Sequence, residues 1–164
     1  MTSGNKKFIF LIKGEGRGHV TQAISLFQIL TKNGHEVPHI FIGKSQRRKI
    51  PGYLLEAVNV TIESLNSPNF ITDSQNKSIR LIHSIFYNSR YLKTYNQSLK
   101  RIDEVVKEVK PDVLINFYDF LGGFYNFLYK PSLKFIPVGH QFMTDHPDFK
   151  FAKGRLFHKR LFLI

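Results

Sequence analysis

At 164 residues the chain has the length of one ordinary domain, or of a piece of a larger protein, and this size allows roughly 70% of the unfolded surface to be buried without staples. Its 42% apolar and 22% charged residues exclude a disordered chain, and the lack of cysteine excludes disulfides and thiolate metal sites while allowing a reducing cytosolic setting. The 24 Lys and Arg against 12 Asp and Glu give a net charge of +12, which favours anionic partners such as nucleic acid, an acidic membrane surface or phosphorylated substrates.

In chain order, the apolar run Phe8–Ile12 meets Lys13 well before the about 7–15 apolar residues of a signal-peptide core or the about 20 of a membrane span. Lys7–Lys13 is short, β-rich and ends at glycines, which predicts a buried strand. Beyond Gly14, Gly16 and Gly18, residues Val20, Ala23, Ile24, Phe27 and Leu30 fall at helical spacing up to a stop signal at Asn33-Gly34. Val37–Ile42 reads as a second strand, and Pro38 predicts an irregular start to it. Ser45–Val58 reads as helical with an interruption at Pro51-Gly52, and Asn59–Leu65 alternates as a third strand.

Ser67–Lys77 is polar and reads as a loop or surface insertion. From Ser78 to Val109 the apolar residues Ile79, Ile82, Ile85, Phe86, Leu92, Tyr95, Leu99, Ile102, Val106 and Val109 recur mostly every three or four positions. That spacing predicts one long helix, or two in tandem, ended by Pro111. Asp112–Phe117 reads as a fourth strand, Gly122–Tyr129 as a short helix and Leu133–Val138 as a fifth strand. Phe149–Ile164 is basic and amphipathic, and reads either as a membrane-surface segment or as an element whose continuation is missing. The alternation of strands and helices predicts an α/β domain over 1–148, a parallel sheet with helices on both faces, with 149–164 set apart. No internal repeat or low-complexity tract interrupts it.

Gly14, Gly16 and Gly18 sit where a strand hands over to a helix. Glycine there lets the backbone turn sharply and approach a ligand, and the free N–H groups of the helix start favour an anion. A dinucleotide fingerprint starting at Gly14 would place glycine at position 19, where His19 stands, although Glu36 occupies the distance expected of an acidic ribose partner. A phosphate loop ending in Gly43-Lys44-Ser45 would need its first glycine where Pro38 stands.

Gly14-Glu15-Gly16-Arg17-Gly18-His19, followed by an amphipathic helix and then by Asn33-Gly34-His35-Glu36-Val37, resembles the start of the N-terminal domain of GT-B glycosyltransferases. The group it is most similar to contains the lipid II N-acetylglucosaminyltransferase, diacylglycerol galactosyltransferases and related bacterial transferases. Lys110-Pro111-Asp112-Val113-Leu114-Ile115-Asn116 resembles that family's fourth strand, and Pro137-Val138-Gly139-His140-Gln141 a strand end found in one bacterial branch. The similarity covers about residues 1–145 and rests on the order and spacing of motifs that are individually weak. It implies a Rossmann-like domain that is one half of a GT-B architecture, the acceptor side. It also implies inverting transfer of a sugar from a nucleotide-sugar to a hydroxyl acceptor, lipid-linked in one version. No cofactor is implied beyond the nucleotide-sugar donor substrate. Enzymes of this kind carry a second Rossmann-like domain for the nucleotide-sugar, and this length has no room for one. The expectation is a fragment, or a chain whose donor domain comes from a partner, as in the split N-acetylglucosaminyltransferases of dolichol-linked and some capsule pathways.

Within this frame His19 and Asp119 are the catalytic candidates. The dipole of the helix start disfavours imidazolium at His19, which suits a neutral base accepting a proton from an acceptor hydroxyl, and the resemblance implies the same role or acceptor binding. The plainer alternative is a histidine that only bonds the helix start. Asp119, just past the fourth strand, could orient His19 or simply cap the helix before Gly122-Gly123. Gly14, Gly16, Arg17, Gly18, His140 and Gln141 are the candidate substrate-binding residues, Arg17 as a phosphate contact and His140 and Gln141 as partners of acceptor hydroxyls. Most of the aromatic residues are core material, while Phe117, Tyr118, Phe120, Phe124 and Tyr125 gather at the mouth of the fourth strand as candidates to line an acceptor site. His35 and His39 would share one face of a strand with no third ligand, so no metal site is expected.

The surplus of positive charge supports two more readings. One is a solvated face with no dedicated partner. The other is a different function class, a non-catalytic basic Rossmann-like module binding nucleic acid or another polyanion, although no RNP-like, helix-turn-helix or zinc-finger pattern accompanies it. A nicotinamide dehydrogenase is disfavoured by His19. The expected location is the cytoplasm, with a peripheral position at the inner face of an anionic membrane as its extension.

Overall fold

The computed structural model describes residues 4–14, 17–44, 50–72, 79–139 and 148. Strands and helices alternate as β1 (Lys7–Lys13), α1 (Arg17–Lys32), β2 (Glu36–Lys44), α2 (Gly52–Ala57), β3 (Thr61–Asn66), α3 (Leu81–Ser89), α4 (Leu92–Val109), β4 (Val113–Phe117), α5 (Phe120–Tyr129) and β5 (Lys134–Val138). The five strands form one sheet in the order β3-β2-β1-β4-β5, and all four pairings are parallel. The chain therefore reverses its direction of winding between β1 and β4, the topological switch point where ligands of open α/β sheets sit.

Two apolar layers follow from this winding. Phe8, Phe10 and Ile12 of β1 pack with Val20 and Ala23 of α1 and Leu54 of α2 on one face. Ile9 and Leu11 pack with Leu99, Ile102 and Val105 of α4 and Leu121 and Tyr125 of α5 on the other. β1 and β4 are buried on both sides, which is why they read as unbroken apolar runs, whereas the edge strands β3 and β5 are mixed.

Local signals fix the element ends. α1 ends in a Schellman motif, with Gly34 at φ 80°, its N–H on the Thr31 carbonyl and the His35 N–H on the Leu30 carbonyl. α4 and α5 end at Lys110 (φ 50°) and Lys130 (φ 45°), each followed by a proline that cannot continue the helix. Asp112 then ties three strands together. Its carboxylate accepts the Lys7 N–H at 2.8 Å, its own N–H donates to the Lys7 carbonyl, and its carbonyl accepts from Lys134 N–H.

The parallel α/β sheet with helices on both faces is as expected from the sequence, and two details are sharper. The register slips between Lys7/Glu36 and Ile9/His39, a bulge at Pro38, because proline cannot donate to the ladder. The long periodic run divides into α3 and α4 at Arg90-Tyr91. One expectation is corrected. His35 and His39 do not share a strand face, because His35 precedes β2, packs its ring on Phe8 at 5.6 Å and accepts the Lys6 N–H. His39 instead lies against Phe41 and 3.5 Å from the Glu63 carboxylate.

Candidate active site at the carboxyl edge of the sheet

The β1–α1 turn is anchored to the end of β2. The Gly14 N–H donates to the Gly43 carbonyl at 2.8 Å, and a β-carbon on Gly14 would lie 2.7 Å from Ile42 Cγ2. Glycine is thus required at 14 by the approach of two strands. Gly18 differs, since nothing lies within 4 Å of where its β-carbon would be, and it faces open space in the first turn of α1 beside exposed Arg17. Gly16 is outside the described residues. His19, half-buried in the same turn, stacks on Tyr118 with ring centroids 5.5 Å apart and planes 19° from parallel. Tyr118 presents its ring from a left-handed backbone, φ 59°.

Asp119 follows directly and is 3% exposed. It is the N-cap of α5: Oδ1 accepts the Leu121 N–H at 2.9 Å and the Ser67 hydroxyl at 2.8 Å. The turn before it is closed by Asn116, whose Oδ1 accepts the Asp119 N–H and whose Nδ2 donates to the Asp119 carbonyl. Two more glycines make room for these groups. A β-carbon on Gly43 would fall 2.0 Å from Asp119 Oδ2, and one on Gly122 would fall 2.4 Å from Asn116 Cγ. Asp119 therefore does cap α5, and its contact with Ser67 joins the ends of β3 and β4.

Around this centre the edge is basic and aromatic. Lys13 Nζ lies 4.9 Å from the centre of the Phe120 ring, and Phe120 meets Phe70 edge-on at 5.3 Å. Of the predicted aromatic mouth only Tyr118 and Phe120 belong here. Phe117 and Tyr125 are core residues, since β4 and the inner side of α5 carry them into the two apolar layers, and Phe124 is exposed. His140 and Gln141 are outside the described residues, and the described chain reaches the same edge at Gly139, just after β5.

A polar cleft adjoins Asp119 through Ser67, lined by Lys44, Asn66, Ser67, Asn69, Tyr87, Tyr91, Thr94 and Tyr95. Tyr87, Tyr91 and Tyr95 follow one another across the α3–α4 joint, with ring centroids 5.0 and 6.4 Å apart. Tyr95 donates to Asn88 Oδ1 at 2.7 Å, and burial, with the neighbouring tyrosines adding to it, pushes its pKa up to about 12. The cleft, Ser67 and Asn116 were not singled out from the sequence. Ser67 falls in the segment read as a polar loop, and of the tyrosines only Tyr95 belongs to the periodic set read as helical. A second, open groove runs along the outer side of α1 from Arg17 to Ile29, and Arg17 is its one ionisable lining residue.

Among the described residues no group of three or more His, Asp or Glu could hold a metal ion. No described helix is long and apolar enough to cross a membrane.

An open parallel sheet with loops from β1, β2, β3 and β4 meeting at its carboxyl edge defines a Rossmann-like α/β domain, and the candidate residues lie at its switch point. The model of glycosyl transferase family 1 matches residues 6–151, nearly the whole chain, and the chain belongs to that family. It is a GT-B-type glycosyltransferase domain, and its chemistry is sugar transfer between a donor and an acceptor. No curated protein matches the chain significantly.

Proposed function

We propose that this domain is the acceptor-side half of a GT-B enzyme that transfers a sugar, with inversion, from a nucleotide-sugar to a hydroxyl acceptor. The observation that carries this reading is the meeting of His19, Tyr118 and Asp119 at one sheet edge. Neutral His19 accepts the proton of the acceptor hydroxyl as the oxygen attacks the anomeric carbon, and the nucleotide leaves from the opposite face. Tyr118 holds the imidazole plane, and Asp119 acts through the turn that presents Tyr118. Gly14, Gly16 and Gly18 let the backbone come close to substrate, and Arg17, Lys13 and Lys44 set a positive edge suited to phosphate oxygens. His140 and Gln141 extend the acceptor side beyond β5. The donor occupies a second α/β domain, in the same polypeptide or a partner chain, and the acceptor is lipid-linked, as the resemblance to the lipid II and diacylglycerol glycosyltransferases implies.

The test is a nucleotide-sugar panel assayed with the full-length gene product, or with the neighbouring donor-domain gene co-expressed, against lipid-linked and soluble hydroxyl acceptors. His19→Ala is expected to lower kcat by about 10²–10⁴-fold at unchanged fold. Near wild-type turnover would remove His19 from the base role.

A further inference from the structure

Of the three non-glycine residues with positive φ among the described residues, Lys110 and Lys130 end helices, where a left-handed residue is ordinary. Tyr118 ends none. It holds φ 59° in the turn between β4 and α5, a backbone region that an aromatic residue avoids. Such a conformation persists only where its surroundings over-determine it, and residues held in this way cluster at functional sites. Here the ring so held is the one stacked on His19.

The bonds around this turn are of two kinds. Asn116 Oδ1 and Nδ2 bond the N–H and the carbonyl of Asp119, and the Leu121 N–H reaches the Asp119 carboxylate from the helix that it caps. These bonds shape the turn, but they travel with it. The bond from Ser67 differs in reach. Its hydroxyl, on a residue 6% exposed, donates to Asp119 Oδ1 at 2.8 Å from 52 positions away in the sequence. Ser67 is itself held by its N–H on the carbonyl of Lys44, the last residue of β2. In a sheet ordered β3-β2-β1-β4-β5, the bond runs from the β3 side to the β4 side, past the ends of β2 and β1, the two strands that α1 connects. It therefore fixes the turn against the strands that position His19. We propose that Ser67 is a positioning residue of this site. By fixing the Asp119 carboxylate it sets the place of the Tyr118 ring, and through that ring the plane of the His19 imidazole. Orientation is what matters to a proton acceptor, since a misplacement of about 1 Å can cost about 10²-fold in rate. The consequence for turnover rests on the base role proposed for His19, whereas the positioning itself does not.

The experiment compares Ser67→Ala with Ser98→Ala in the full chain. Ser98 is equally buried, and its hydroxyl donates to the Asn66 carbonyl at 3.0 Å, so it ties α4 to the end of β3 one residue before Ser67. Proton NMR at fixed pH reads the His19 ring, whose signals the stacked Tyr118 ring shifts upfield, and His19→Ala identifies them by their loss. Tyr118→Asn, which tolerates a left-handed backbone and carries no ring, gives the unshifted position. Ser67→Ala is expected to move the His19 signals most of the way to that position. Ser98→Ala is expected to leave them in place at a comparable loss of unfolding midpoint, and Ser67→Thr, which keeps the hydroxyl, to restore them. In the sugar-transfer assay Ser67→Ala should lower kcat about tenfold or more with KM within about twofold, while Ser98→Ala keeps both. Undisplaced His19 signals in Ser67→Ala, or the same displacement in Ser98→Ala, would overturn the proposal whatever the turnover. So would wild-type kcat in Ser67→Ala where His19→Ala is inactive. Displaced signals together with wild-type turnover of His19→Ala would support the positioning and remove the base role alone, so that the two failures are told apart.

Discussion

Gly43 and Asp119 lie at the ends of different strands, yet one defines the space of the other. Adding a methyl group at 43 places it 2.0 Å from Asp119 Oδ2, so the carboxylate has to leave its cap position. Gly43→Ala is expected to cost about 1–3 kcal/mol in urea unfolding and to reduce sugar transfer. Gly123→Ala, with nothing within 4 Å of the new carbon, should hold or gain stability in the same helix. His39 supplies a pH test. Burial lowers its pKa below 6.5, opposed by the Glu63 carboxylate, so the folded chain binds fewer protons than the unfolded one between the lowered pKa and 6.5. Stability contributed by neutral His39 is complete above that window and is lost as pH falls through it. Unfolding free energies measured from about pH 7.5 down to about pH 5 should decline more steeply in the wild type than in His39→Gln, and equal slopes would refute the assignment. At this scale the sequence showed the glycines and the two catalytic candidates. It could not show Ser67, whose meaning comes from a partner far along the chain, or that Gly14 serves strand packing as well as the loop.

Elements with the same periodicity meet different fates. The run from Ile79 to Val109 has one helical spacing throughout, but α4 buries Leu99, Ile102 and Val105 while α3 exposes its large residues. Period reports that a helix is amphipathic, and it does not say what covers the apolar side. Ile102→Ala should therefore cost about 2–5 kcal/mol in chemical denaturation, as a fully buried position does. Ile85→Ala, on the exposed side of α3, should stay within about 0.5 kcal/mol. A large loss at Ile85 would mean that α3 packs inward after all. The helix ends were better marked, because Gly34, Pro111 and Pro131 act through their own backbone geometry and need no distant partner.

Over the whole molecule, alternation of strand and helix made the α/β class and the parallel sheet legible, since continuous apolar runs such as Phe8–Ile12 and Val113–Ile115 suit strands covered on both faces. Strand order is not written in any single segment; it appears only when β4 pairs with β1 and the winding reverses. That reversal gathers residues from positions 13 to 119 at one edge. An acceptor-side half should be stabilised by acceptor alone. At a concentration about 100-fold above Kd, linkage predicts about 2.7 kcal/mol, visible as a rise in Tm, whereas free nucleotide should leave Tm unchanged. A nucleotide-induced rise without an acceptor effect would reverse the assignment of halves.

The space shared by Gly43 and Asp119 also has an evolutionary consequence. A side chain at 43 and a carboxylate at 119 exclude each other sterically, so the two positions should be inherited as a pair. In descendants of this sequence, any lineage that replaces the glycine should also have given up the acid, and the letters Gly43-Lys44-Ser45 would then trace a steric partnership rather than an ancestral phosphate loop.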